Sequence, residues 1–175
     1  MCAERQKEDV HGYQSYVGIP ALREGFASWY KRWYGVDLDP KTEIQPLIGS
    51  KEGILHISMA FLNPGDGVLV PNPGYPTYTS VSKLVGADLV SYTLDGKNGW
   101  YPDFEELERL LAERRKKGET AVKLMWVNYP NMPTGADASI ELYEKLVDFG
   151  MTHGIIICND NPYSFILNDH PRSIL

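Results

Sequence analysis

Cysteine is nearly absent from this chain of 175 residues, which holds two, Cys2 and Cys158. Cys2 is terminal and Cys158 lies in an apolar run. A disulfide between them is not expected, and a reducing cytoplasm fits. The histidines (His11, His56, His153, His170) are scattered, and neither they nor the cysteines show metal-ligand spacing, so no metal site is expected. No apolar stretch approaches the roughly 20 residues of a membrane span. The start, Met1-Cys2-Ala3 and then Glu4-Arg5-Gln6-Lys7-Glu8-Asp9, carries no secretory signal pattern. Basic excess is missing too: 17 Lys and Arg stand against 23 Asp and Glu, a net charge of −6. That argues against a nucleic-acid footprint, which needs clustered cations. The one basic run, Arg114-Arg115-Lys116-Lys117, ends a predicted helix, where cations suit the macrodipole. What is present, 43% hydrophobic and 23% charged residues, is the composition of a globular domain with one real core.

Strand and helix patterns alternate along the chain. Ile19-Pro20 opens a helix with proline in its first turn. Leu22, Phe26, Tyr30 and Trp33 follow at helical spacing, and Gly35 stops it. Residues 43–48 read as a short strand and 52–62 as a mostly apolar helix. Residues 67–70 and 87–93 read as strands around a helix over 76–85. Asp103 caps an amphipathic helix over 103–117. Residues 121–127 form another strand, 139–153 another helix, and 155–158 a β-branched apolar run that reads as a central parallel strand buried on both faces. This alternation predicts a doubly wound α/β fold, a three-layer α/β/α sandwich on a mostly parallel sheet. The charged helix-like start and the unclosed end suggest a piece of a longer chain.

In such sheets ligands bind outside the carboxyl ends of the strands, and four connections there carry candidate residues. Asp160 ends the last strand, with Tyr163 three residues on. A carboxylate at the tip of a buried strand is costly unless it meets a cation or several donors. It therefore suits a positively charged group of a ligand, with the Tyr163 phenol as neighbouring donor; capping of the Asn161-Pro162 turn is the alternative. Gly49-Ser50-Lys51 joins strand to helix, either as a helix N-terminus facing an anion or as a plain tight turn. Pro71-Asn72-Pro73-Gly74-Tyr75-Pro76 is rigid, and Tyr75 either offers a flat face to a planar ligand or packs in the core. Asn128-Tyr129-Pro130-Asn131-Met132-Pro133-Thr134-Gly135 is more constrained than a bare turn requires.

These motifs, in this order, resemble the aspartate-aminotransferase-like family, the fold-type I pyridoxal-phosphate enzymes. The likeness is carried by Tyr13 with Gly18-Ile19-Pro20-Ala21-Leu22-Arg23, Gly49-Ser50-Lys51, Asn63-Pro64-Gly65-Asp66, Pro73-Gly74-Tyr75, Pro130-Asn131-Met132-Pro133-Thr134-Gly135 and Asp160-Asn161-Pro162-Tyr163. It covers nearly all 175 residues and implies part of the large pyridoxal-phosphate-binding domain, without the small domain. By the same resemblance Asp160 pairs with the protonated pyridine nitrogen, Tyr163 bonds the ring's phenolic oxygen, and Tyr75 stacks on the ring. Gly49, Ser50 and Lys51 hold the phosphate. Tyr13 reaches the neighbouring subunit's site, which implies a homodimer.

Two departures stand out. The family places Asn directly before Pro-Thr-Gly, but Met132 stands here, and a thioether accepts hydrogen bonds only weakly. Asn131 compensates, or Tyr163 serves the ring oxygen alone, or the substrate is handled differently. The family's Schiff-base lysine is also expected beyond Leu175, as is the arginine for the substrate's α-carboxylate, so no catalytic residue is assigned within these residues. The activity implied is amino-group transfer between an L-amino acid and a 2-oxo acid. An aminotransferase-like sensor domain of a transcription regulator and a lyase or decarboxylase using the same cofactor are the alternatives.

Overall fold

The computed structural model describes residues 12–13, 15–166 and 168–175, so Cys2, His11 and the charged start fall outside them. The chain divides into two compact units at Ile48/Gly49. In the first, α1 (Pro20–Tyr34) begins with proline in its first turn and ends at Gly35, whose φ of 73° is left-handed and whose N–H bonds Lys31 O. Trp29 and Tyr30 both set their rings against Tyr34. The strand expected over 43–48 does not form. Asp39 instead gathers a turn, accepting from the Lys41 N–H at 2.9 Å and the Thr42 hydroxyl at 2.8 Å, and Pro46 has no N–H to give a ladder.

The second unit is a four-stranded parallel sheet in the order β2-β1-β3-β4. Its strands are β1 (Gly67–Asn72), β2 (Asp88–Thr93), β3 (Val122–Asn128) and β4 (Ile156–Asp160). The helices are α2 (Ser50–Phe61), α3 (Pro76–Leu84), α4 (Phe104–Lys116) and α5 (Ile140–His153). Strand periodicity sorts the core into two halves. Val68, Val70, Leu124 and Trp126 pack with Ile54 of α2 and Tyr78 of α3. Leu69, Met125 and Val127 point the other way, onto Leu107 of α4 and Leu142 and Leu146 of α5. The result is the three-layer α/β/α sandwich. Right-handed crossovers explain it: the chain moves one way from β1 to β2, which puts α3 on one face, and the other way from β2 to β3 and on to β4, which puts α4 and α5 on the opposite face.

The sheet corrects one expectation. The apolar run in β4 is not central, because β4 is the outer strand among those described and Ile156 is 39% exposed. The strands buried on both faces are β1 and β3. A β-branched run reports that a strand suits burial, whereas its rank in the sheet depends on pairings remote in sequence. No helix among the described residues is long and apolar enough to cross a membrane.

Candidate active-site cleft

The chain leaves β1 toward β2 on one side and returns to β3 on the other, so connections diverge outside the carboxyl ends of β1 and β3. There the second unit has a cleft of ≈ 140 Å³ lined by Ser50, Tyr75, Asn128, Met132, Asp160 and Tyr163. Residues distant in sequence meet here because every parallel strand delivers its exit to the same edge.

Asp160 closes β4. Its register partner is Asn128, the last residue of β3, and the Asn128 amide donates to the Asp160 backbone carbonyl at 2.7 Å. The carboxylate is half-buried and accepts from the Tyr78 hydroxyl, Oδ2 to Oη 2.8 Å. Burial pushes the Asp160 carboxyl above its ordinary range, and the Tyr78 bond opposes that rise. Among the described residues no cation pairs with it. Burial and the neighbouring Asp160 charge raise the Tyr78 phenol well above its usual value, so it remains a donor.

Tyr75 is the N-cap residue of α3, one turn ahead of Tyr78, and meets that ring edge-on at 5.6 Å and 80°. Close packing fixes the approach: a Cβ on Gly74 would lie 2.5 Å from Pro71 O. Lys51 Nζ sits 5.8 Å from the Tyr75 ring centroid, and bonds from Thr77 and Lys51 hold the Tyr75 phenol below its ordinary value. Ser50 opens α2 after the extended Gly49, and no side chain caps that helix start. A helix N-terminus left open in this way attracts anions.

Met132 gives its N–H to Asn128 Oδ1 at 2.8 Å, and its sulfur takes the Tyr163 hydroxyl at 3.8 Å. Asn131 departs from expectation. It is 3% exposed and turned into its own loop, donating to Asn128 O at 3.2 Å and accepting from the Thr134 hydroxyl at 2.7 Å. It does not line the cleft. Tyr13 belongs to the first unit, where its ring is exposed.

Sequence reasoning missed Tyr78 and Asn128. Asn128 had the same signal as Asp160, a polar residue ending a buried strand. Tyr78 had only its place three residues after Tyr75, one helical turn on.

The donors suit one kind of guest. A flat ring face, a half-buried carboxylate with no cation among the described residues and an open helix start with a hydroxyl match a planar cationic heterocycle carrying an anionic tail. Comparison with known proteins agrees. The family model for aminotransferase class I and II matches residues 2–173. An LL-diaminopimelate aminotransferase of Dehalococcoides mccartyi is 39% identical over 99% of this chain and 43% of its own length. One from Aquifex aeolicus is 44% identical over 97% of this chain and 43% of its own. The substrate-bound BacF structure from Bacillus subtilis superposes with a TM-score of 0.86 at 37% identity, over 98% of this chain and 42% of that one. The chain thus spans about two fifths of the length of the relatives it matches. A match running from residue 2 to 173, over a cleft whose donors sit where the shared motifs fall, leaves one assignment: the chain belongs to the class I and II aminotransferases.

Proposed function

We propose that these residues form the cofactor-holding part of the large domain of a pyridoxal 5'-phosphate-dependent aminotransferase, which moves an amino group between an L-amino acid and a 2-oxo acid. The observation that carries this reading is Asp160: a half-buried carboxylate with one phenol donor and no cation, at the carboxyl edge beside an aromatic face. When bound, the cofactor supplies an electron sink for charge developing on the substrate's amino-bearing carbon. The chain's residues hold and orient it. Asp160 accepts a proton-bearing ring nitrogen and so favours the cationic ring. Tyr75 gives the ring a stacking face, and Lys51 backs that face as well as adding positive charge near the tail. Ser50 and the start of α2 take the phosphate, with Gly49 keeping the approach free of a side chain. Tyr163 donates to the ring's phenolic oxygen, exchanging a weak sulfur acceptor for a stronger one.

The relatives' names make LL-diaminopimelate the first amino donor to try. A homodimer in which Tyr13 serves the neighbouring site completes the reading, as does a cytoplasmic location, which suits the thiol of Cys158. Alone, this chain should be inactive. The test uses the whole protein, loaded with pyridoxal 5'-phosphate and given LL-diaminopimelate or other L-amino acids with 2-oxoglutarate. L-glutamate should form, and D160A should reduce its formation by at least about a hundredfold, the scale of losing a preorganised electrostatic partner. Folded, loaded wild-type protein that makes no glutamate from any L-amino acid would refute the aminotransferase reading.

A further inference from the structure

The donor to the Asp160 carboxylate belongs to α3, and Tyr78 is not among the residues lining the cleft. The Tyr78 ring is 1% exposed. It is stacked on Trp126 of β3 at 5.1 Å and 6°, with the edge of Tyr75 against it at 5.6 Å. Its hydroxyl donates to Asp160 Oδ2 at 2.8 Å. Oδ1 has no protein donor among the described residues. The half of the carboxylate that Tyr78 does not occupy is therefore left to a guest. The other polar groups near the cleft do not compete: Lys51 Nζ lies over the Tyr75 ring, Tyr163 turns to Met132, and Cys158 has its thiol pushed up to about 12 by burial and stays neutral.

Resting on the proposed cofactor reading, we propose that Tyr78 is the positioning residue of this site: its hydroxyl fixes the Asp160 carboxylate in one orientation, so that Oδ1 meets the cation of the ring. Tyr78 also couples the two contacts that grip the ring, since one residue touches both the stacking Tyr75 and the Asp160 carboxylate. Burial works against an ionised Asp160, and the Tyr78 bond is the protein contact that opposes it. A charge-assisted bond has the strength to hold that orientation.

The probe pair is pyridoxal 5'-phosphate and its 1-deaza analogue, which has carbon in place of the ring nitrogen. Wild-type whole protein should bind the natural ring more tightly than the analogue. Y78F keeps the aromatic stack and deletes only the hydroxyl. It should lose about tenfold of that preference, the scale of one charge-assisted hydrogen bond, while binding the analogue as wild type does. In a D160N background, Y78F should cost nothing further. A wild type that shows no preference overturns the assignment of Asp160 to the ring nitrogen. A wild type with a preference that Y78F keeps in full overturns the role of Tyr78 alone.

Discussion

Two aspartates at opposite ends of the same sheet behave in opposite ways. Asp66, before β1, is 2% exposed and saturated: it accepts from the Asn63 N–H at 2.7 Å and from Lys123 Nζ at 2.9 Å. The Lys123 bond, aided by Asn63, holds its carboxyl below the ordinary range against the cost of burial. Asp160, at the end of β4, has a phenol and, among the described residues, no cation, and burial moves it the other way. The amino edge thus closes its charges on itself, and the carboxyl edge leaves one unanswered. An ion that the protein fully satisfies is structural. One that it half satisfies is held for something else, because its cost goes uncompensated until a ligand arrives.

Arg114 should show the largest contrast. Its side chain is 8% exposed and bridges Asp88 and Glu119, each at 2.9 Å. It also donates to the carbonyls of Gly65, at 2.8 Å, and Thr120. These groups knit the amino ends of β1, β2 and β3. R114M leaves the Gly65 and Thr120 carbonyls without their side-chain donor, while the more exposed carboxylates of Asp88 and Glu119 turn to solvent, and should cost about 3 kcal/mol in denaturant unfolding. Protein that remains folded should keep its affinity for pyridoxal 5'-phosphate. A loss of affinity without a loss of stability would erase the distinction between the two edges.

Asp66→Asn is the next step down. It removes the ion pair with Lys123 but keeps an oxygen for the Asn63 N–H, so the expected loss is about 2 kcal/mol at neutral pH. A group with a depressed folded pKa stabilises above its unfolded value of about 3.9 and loses that contribution as pH falls through the folded pKa. The wild-type and D66N unfolding curves should therefore converge in acid and separate toward pH 7, with the variant the weaker.

How far the sequence showed this division differs by edge. The carboxyl edge was largely readable, because parallel strands must deliver their exits together. Tyr75, Asp160 and Tyr163 could be placed from order and turn chemistry, and the alternation of strands and helices gave the layers, whereas Ser50 reaches the cleft from the start of α2 without the strand expected before it. Three things were not readable. The rank of β4 depends on long-range pairing. The strand over 43–48 gave way to side-chain bonds around Asp39. The inward turn of Asn131 depends on which of two loop amides meets Asn128, a choice of hydrogen-bond partners a few residues apart. The amino edge was legible only as the Asn63-Pro64-Gly65-Asp66 turn: Arg114 sits in a basic run that reads as a solvated helix end, and only packing shows that it is buried while its neighbours Arg115 and Lys116 are exposed.

Asp160→Asn should give the smallest change in stability and the opposite sign. The amide retains an oxygen for the Tyr78 hydroxyl and removes a charge that no cation answers, so ligand-free protein should gain about 0.5–1 kcal/mol at neutral pH. For a carboxyl whose folded pKa is raised, the unfolded state loses its proton first. The wild-type penalty therefore begins as pH rises past about 3.9 and is complete above the folded pKa. D160N should match wild type in acid and exceed it at pH 7, the mirror image of D66N, when thermal midpoints are followed across pH. Adding pyridoxal 5'-phosphate should reverse the order, because only the wild type then recovers through binding the cost of holding its carboxylate. If D160N instead falls below wild type without ligand, Asp160 is held by protein partners as Asp66 is, and the two ends of the sheet no longer differ.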